Sequence, residues 1–412
     1  MWRLLPFVFL CYTVNYIDRV NLSFAALEMN ADLHLGPEVF GLVAGAFFLG
    51  YTLFEIPSNL ILEAVGARRW IARIMISWGF LTSLLSLVHT AHSLYALRFL
   101  LGVAEAGFFP GIIYYLGYWI PRRYRAKAAA LFLTSTALSG VIGGPLAGTL
   151  MKMDGFRGLA GWRWLFLLEG IPAVILGVVT LFRLEDRISD AGWLAPADRK
   201  WLSRRMESEH AAVRGAHSMT LGRALTHPRV WHLCAIYFLI ITGFYGIAFW
   251  LPQLVKGLSG YSTFAVSCLC ALPYLCAAIA MVAMGRHSDA TGERRRHVAA
   301  SAATGAVGLF LAALAGNGHP IAGFLALCLA GAGVWSIFGP FWSLPATFLT
   351  GTAAAGGIAL VNSCGNIGGF VGPYAVGYVK GLTGTYTMGL AALSVFLVLG
   401  ALLTLTLPAE KA

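Results

Sequence analysis

Four ionisable residues stand inside stretches that are otherwise apolar for the thickness of a bilayer. Asp18 and Arg19 share one such stretch, Arg98 and Glu105 another. A charge at the centre of a membrane helix costs about 2.5–3.5 kcal/mol on insertion scales, so these groups face a protein interior or a watery path and pair with one another. Two cations and two acids able to share one cavity have the chemistry of an ion-coupled transport site. Arginine suits an anion, because its planar fork grips a carboxylate with two hydrogen bonds and does not deprotonate. Burial favours the protonated carboxyl and a neighbouring cation favours the ionised one, so an acid whose partner changes can carry a proton.

Spacing limits how the four can meet. Arg98 and Glu105 are seven residues apart, which on a helix puts them on nearly one face, about 10 Å from each other. Gly102 lies between them and is expected to leave room for a side chain or a substrate. With the two stretches crossing in opposite directions, Asp18 and Arg98 fall at similar depth, which makes an Asp18–Arg98 pair a reasonable expectation. Glu105 lies nearer the midplane.

The elements that must position these residues follow from composition. The chain is 58% hydrophobic and 11% charged, where soluble domains carry roughly 25% charged residues; this is an integral membrane protein. Apolar segments of about 20 residues number twelve, which predicts an all-α protein of twelve transmembrane helices. With the N-terminus placed in the cytoplasm, the cytoplasmic loops hold 22 Lys and Arg against five outside. That asymmetry predicts a cell (inner) membrane protein with both termini cytoplasmic. The net charge of +11 is therefore mostly topology, and its scatter over short loops argues against nucleic acid as a partner. The first apolar run exceeds a signal peptide in length and is expected to be a retained helix.

Seven Cys all fall in apolar runs without paired metal spacing, and the ten His form no H-E-x-x-H pattern. No nucleophile–base set or phosphate-binding loop is visible, so neither catalysis, a metal nor a cofactor is expected. Glycine-rich stretches lie within helices, where small residues permit close packing.

The chain repeats itself. Glu63, Gly66 and Arg68-Arg69 recur as Asp289, Gly292 and Arg294-Arg295 at an offset of 226, and Ile142-Gly143-Gly144 recurs as Ile367-Gly368-Gly369 at 225. Two unrelated stretches with nearly one offset predict two six-helix halves, residues 1–182 and 229–412. The basic segment 183–228 is the cytoplasmic linker, with a surface helix expected over 196–211 that starts at Pro196.

The repeated acid–glycine–arginine loop resembles that of the major facilitator superfamily. Asn15-Tyr16-Ile17-Asp18-Arg19-Val20-Asn21-Leu22, Gly50-Tyr51 through Asn59, Arg98 through Glu105, and Asn362-Ser363-Cys364-Gly365-Asn366 resemble its anion:cation symporter branch, and within it the tartrate-transporter group. Glu63 stands where the family loop usually has Asp, and Asn59 where it has Gly. The resemblance implies the major facilitator fold and proton-coupled uptake by symport of a small organic anion such as tartrate or a sugar acid, by alternating access, in a protein that functions as a monomer. It implies proton-coupling roles for Asp18 and Glu105, and anion roles for Arg19 and Arg98, with Arg19 in direct contact. A static network joining the two helices is the competing account of these four. Tyr16, Tyr51, Thr136, Trp342, Ser343, Asn362 and Asn366 are the expected neutral contacts, though each also suits ordinary helix packing. Glu55 reads equally as a gate or a buried structural acid. Glu63, Arg68, Asp289 and Arg294 are expected conformational latches. The rival functions are an exporter of drugs or metabolites in exchange for protons, and uptake of an aromatic carboxylic acid.

Overall fold

The computed structural model describes residues 3–215, 222, 226–345 and 351–408, and among these every regular element is a helix. A bilayer leaves no other choice for separate apolar segments, since each must satisfy its own backbone hydrogen bonds. In chain order the helices are α1 (Leu4–Asp32), α2 (Pro37–Val65), α3 (Ala67–Leu84), α4 (Ala91–Glu105), α5 (Phe108–Trp119), α6 (Arg122–Met151), α7 (Gly161–Arg183) and α8 (Pro196–Gly215). They continue as α9 (Pro228–Ser259), α10 (Thr263–Leu269), α11 (Ala271–Thr291), α12 (Arg295–Ala315), α13 (Pro320–Ser336), α14 (Phe338–Ser343), α15 (Gly351–Thr383) and α16 (Thr387–Leu405). Three crossings are built from two helices each: α4 with α5, α10 with α11, and α13 with α14.

Ten helical crossings are long enough and apolar enough to span a membrane. Helices α1 and α15, of 29 and 33 residues, have the length but carry more polar groups, Asn15, Asp18, Arg19 and Asn21 in one and Asn362, Ser363 and Asn366 in the other. With them the expected twelve crossings are reached, six before α8 and six after it. Helix α8 begins at Pro196 as the sequence predicts and runs to Gly215, four residues past the expected end. Parts of the expected linker, 216–221 and 223–225, and Lys411 near the C-terminus lie outside the described residues.

The two halves meet along glycine seams. A Cβ on Gly41 of α2 would lie 2.6 Å from the Pro373 carbonyl oxygen of α15, and one on Gly45 would lie 2.6 Å from the Phe370 ring. On the opposite flank Gly144 and Gly148 of α6 admit Ser267 of α10. Both seams lie at the end of the bundle where α1 ends and α2 begins. There, across the halves, Asn30 donates to Gln253 at 3.5 Å and Tyr374 to Glu38 at 3.5 Å, while within the second half the Trp250 indole donates to the Pro373 carbonyl at 3.0 Å. The bundle is sealed at that end.

Gly102 serves a different purpose from the one its position suggests. A Cβ there would collide with the Phe47 carbonyl oxygen, so the glycine admits the backbone of α2 and not a substrate. Gly102→Val should force α2 and α4 apart and lower stability by about 1–3 kcal/mol. A lower melting temperature of the purified protein in detergent checks this, and an unchanged melt would mean the helices are free to separate.

Candidate functional site

The α4–α5 crossing breaks immediately after Glu105, and the break aims that residue. Ala106 is extended (ψ 132°) and Gly107 is left-handed (φ +84°), a conformation that costs other residues backbone strain. Ser58 of α2 donates to the freed Ala106 carbonyl at 2.6 Å and accepts the Trp70 indole N–H at 3.0 Å. A Cβ on Gly107 would strike that Ser58 hydroxyl. The last turn of α4 is thereby held against α2, with the Glu105 carboxylate turned toward α1.

Arg19 meets it. Its Nη2 forms an ion pair with Glu105 Oε1, and its Nη1 donates to the Tyr245 hydroxyl of α9 at 3.2 Å. The guanidinium also lies over the rings of Phe47 and Tyr51, at 5.1 and 5.4 Å. Both charged side chains are buried, 6% and 1% exposed. Such a pair survives burial only with close geometry and additional polar partners, which Tyr245 and the ring faces supply.

Beside this pair is a small cavity lined from both halves. Of the expected contacts, Tyr16, Arg19, Tyr51, Thr136, Trp342, Asn362 and Asn366 line it. Tyr12, Tyr237 and Tyr245 join them, so the wall is rich in phenolic hydroxyls. These three were not legible as contacts from residue type alone. Tyr245 had a signal nonetheless: it stands 226 residues after Arg19, the offset of the internal repeat. Equivalent positions on the first helix of each half face one another across the cavity.

Other expectations are corrected by the geometry. The Asp18–Arg98 pair does not form. Asp18 turns to α3, where its Oδ2 accepts the Trp78 indole N–H at 2.7 Å. Adjacent residues point about 100° apart on a helix, so Asp18 and Arg19 cannot share a face. Arg98 is fully buried between the rings of Phe47 and Phe249, at 5.2 and 5.9 Å, with no hydrogen-bond partner on its three nitrogens. Asp18, Arg98, Glu105 and Ser343 do not line the cavity; Glu105 reaches it only through Arg19, and the Ser343 hydroxyl is spent on the Gly339 carbonyl at 3.3 Å. Glu169 of α7 is likewise buried in an apolar run, and its type and place carry the same sequence signal as Asp18.

The loops differ too. Asp289 and Arg294 pair at 2.6 Å within one loop, where Asp289 is 74% exposed and holds no neighbouring half. Exposed pairs of this kind contribute about 0–1 kcal/mol. Glu63 makes no ion pair among the described residues, and the backbone N–H of Arg68 is capped instead by Asp186 at 2.9 Å. The firm inter-half contact is Glu55, one turn from Tyr51. Its Oε1 accepts from Asn362 at 2.5 Å, and its Oε2 from Ser363 at 3.0 Å and Asn366 at 3.3 Å. Three donors on α15 thus hold one acid on α2, and two of them also line the cavity.

A bundle of twelve crossings with a cavity between its halves, lined in part by a buried arginine, has the architecture of a membrane transporter. Comparison with known proteins agrees. Residues 8–373 match the family model of the Major Facilitator Superfamily. A protein of Agrobacterium vitis named for tartrate transport is 50% identical over 98% of this chain and 93% of its own length. A quinolone resistance transporter of Acinetobacter baumannii is 41% identical over 98% and 92%. Among solved structures, the partially occluded inward-open xylose transporter XylE of E. coli superposes with a TM-score of 0.78 at 13% identity, over 100% of this chain and 98% of that one. The chain belongs to the major facilitator superfamily; it is a multi-pass membrane transporter and not an enzyme.

The Glu55 clasp yields a test. Glu55→Ala leaves the Asn362, Ser363 and Asn366 donors without their acceptor, and loss of a buried partner costs about 1–3 kcal/mol. The melting temperature should fall accordingly, with Ser363→Ala falling less because two donors remain. Equal, negligible effects of both substitutions would show that the clasp does not hold the halves.

Proposed function

We propose that the protein is a proton-coupled symporter of small organic anions, with a hydroxydicarboxylate such as tartrate or a sugar acid as substrate. It works by alternating access in the inner membrane, with both termini in the cytoplasm. The observation that carries this reading is the buried Arg19–Glu105 ion pair, whose arginine lines a cavity shared by both halves while its acid stands behind the wall. The relative named for tartrate transport, at 50% identity, supports the substrate class.

Chemistry follows from competition for one cation. An arriving carboxylate is a better bidentate partner for Arg19 than Glu105, which engages a single Nη2. As the anion takes the guanidinium, Glu105 loses its cation while remaining buried. An unpaired buried carboxylate is costly as an anion and neutralises by binding a proton. Anion and proton therefore load together, and their departure restores the ion pair. Tyr12, Tyr16, Tyr51 and Tyr237 offer hydroxyls to a polyhydroxy acid, while Asn362 and Asn366 can exchange Glu55 for substrate oxygens as the halves move. The excess of Lys and Arg in the loops on the side of the termini supports a cytoplasmic orientation for them.

Uptake of labelled organic acids into proteoliposomes, with and without an imposed pH gradient, tests the reading directly. Accumulation of tartrate or a sugar acid with inward protons is expected; proton-driven extrusion would instead make the protein an exporter. Arg19→Ala should cost about 2–5 kcal/mol of anion binding, and Arg19→Lys should also impair it because the fork is lost. Unchanged substrate-induced thermal shifts in both variants would remove Arg19 from the site. Glu105→Gln keeps shape and hydrogen-bonding capacity while abolishing titration. Gradient-driven uptake should collapse in it, whereas exchange of labelled for unlabelled substrate should persist. Retained accumulation would exclude Glu105 as an essential proton carrier.

A further inference from the structure

We propose that Arg73 of α3 is a positioning residue for Glu105, holding the backbone on one side of that acid as Ser58 holds it on the other. Its role rests on the competition between Glu105 and the anion for Arg19 proposed above. Arg73 itself belongs neither to the cavity wall nor to the ion pair.

The need for such a support begins with the sequence of the α4–α5 crossing. Pro110 has no N–H, and its ring crowds the carbonyl four residues earlier, that of Ala106. The helix gives way at Ala106–Gly107, and α4 ends at Glu105. Carbonyls at a helix end lose their ladder partners, and a bilayer offers no water to replace them. Neighbouring helices take two of them. Ser58 of α2 donates to the Ala106 carbonyl at 2.6 Å, and Arg73 Nη1 donates to the Ala104 carbonyl at 3.3 Å. These are the residues on either side of Glu105.

The two clamps are joined. The Arg73 guanidinium lies 3.9 Å over the Trp70 ring, and the Trp70 indole N–H donates to the same Ser58 hydroxyl at 3.0 Å. Helices α2 and α3 therefore grip the last turn of α4 as one unit. An arginine inside a membrane-spanning segment is costly and calls for a reason. Arg73 makes no ion pair among the described residues; its fork goes to Ala104, to Ser77 at 3.4 Å and to the Trp70 face. A half-buried cation spent on the carbonyl next to Glu105 has the place of a support, not of an anion contact.

Ionised Glu105 competes with the anion for Arg19 only as well as α4 presents it. With Ala104 and Ala106 both held, the carboxylate returns to one place when the anion leaves. A loosened last turn weakens its hold on Arg19. Other charged groups around α4 do not substitute: Arg98 lies between rings, Asp18 is bonded to Trp78, and Glu55 is held by three donors on α15. Protonated Glu105 leaves Arg19 to the anion, so anion affinity falls as pH rises and the acid ionises. Without Arg73 that fall becomes shallower.

The test is the KM for labelled tartrate in counterflow, measured in proteoliposomes with equal pH on both sides over a series of pH values. In the native protein KM should climb toward about tenfold per pH unit, the limit for one competing proton. Arg73→Met keeps apolar cover on Trp70 and removes the donor. Its KM should match the native value at low pH and climb by no more than about threefold per unit above it. Arg73→Lys, which retains a donor, should recover most of the native slope. A native slope in Arg73→Met, with only the maximal rate or melting temperature lowered, makes the residue structural and overturns the proposal. A slope in Arg73→Lys as shallow as in Arg73→Met assigns the effect to packing on Trp70 and overturns it too. If Arg73→Met does not insert, Ser58→Ala frees the other carbonyl and must show the shallow slope; a native slope there is equally fatal. Native protein that shows no tartrate or sugar-acid counterflow, or a KM indifferent to pH, sinks the competition for Arg19 itself, and the role of Arg73 falls with it.

Discussion

A guanidinium and a carboxylate buried together in the middle of a membrane set the terms for everything around them. Arg19 and Glu105 are nearly inaccessible to solvent, and either one alone would be a strongly destabilising charge. Their pairing needs α1 and α4 to present one residue each at a fixed depth. The break at Ala106–Gly107 and the Ser58–Trp70 hydrogen bonds that hold it supply that placement on the α4 side. On the other side Tyr245 reaches from the opposite half to complete the arginine's partners. The pair is thus strong enough to fold around and incomplete enough to be exchanged.

That incompleteness ties the chemistry to motion. Arg19 touches both halves, and Glu55 does so again through three donors on α15. A ligand that enters the cavity meets groups already engaged across the interface, so binding and inter-half contact compete for the same atoms. A ligand shifts a conformational equilibrium only by its differential affinity for the two states. Shared donors are a direct source of that difference. The glycine seams at the sealed end work on a separate principle, because the missing side chains let helices of the two halves approach closely.

Arg98 shows the other use of a buried cation. It has ring faces for neighbours and no carboxylate, so its charge adds to the positive field felt near Arg19 without holding any contact of its own. On the proposed reading, an anion entering the cavity would gain from that field.

Composition and periodicity were sufficient for the class of protein, the helical fold and the twelve crossings, because a bilayer admits so few solutions that hydropathy nearly dictates them. The repeat offset of 226 was equally legible, and it marks Tyr245 as the counterpart of Arg19. The charged residues announced themselves by the cost of their position. What the chain could not disclose was which of them meet. Depth along a helix can be counted from the sequence, but the direction a side chain takes around the axis depends on the packing of every neighbouring helix. Asp18 and Arg98 matched in depth and diverged in direction, while Gly102 made room for the backbone of α2. Only the tertiary structure decided that Arg19 takes Glu105, because only packing fixes the rotation of α1 against α4.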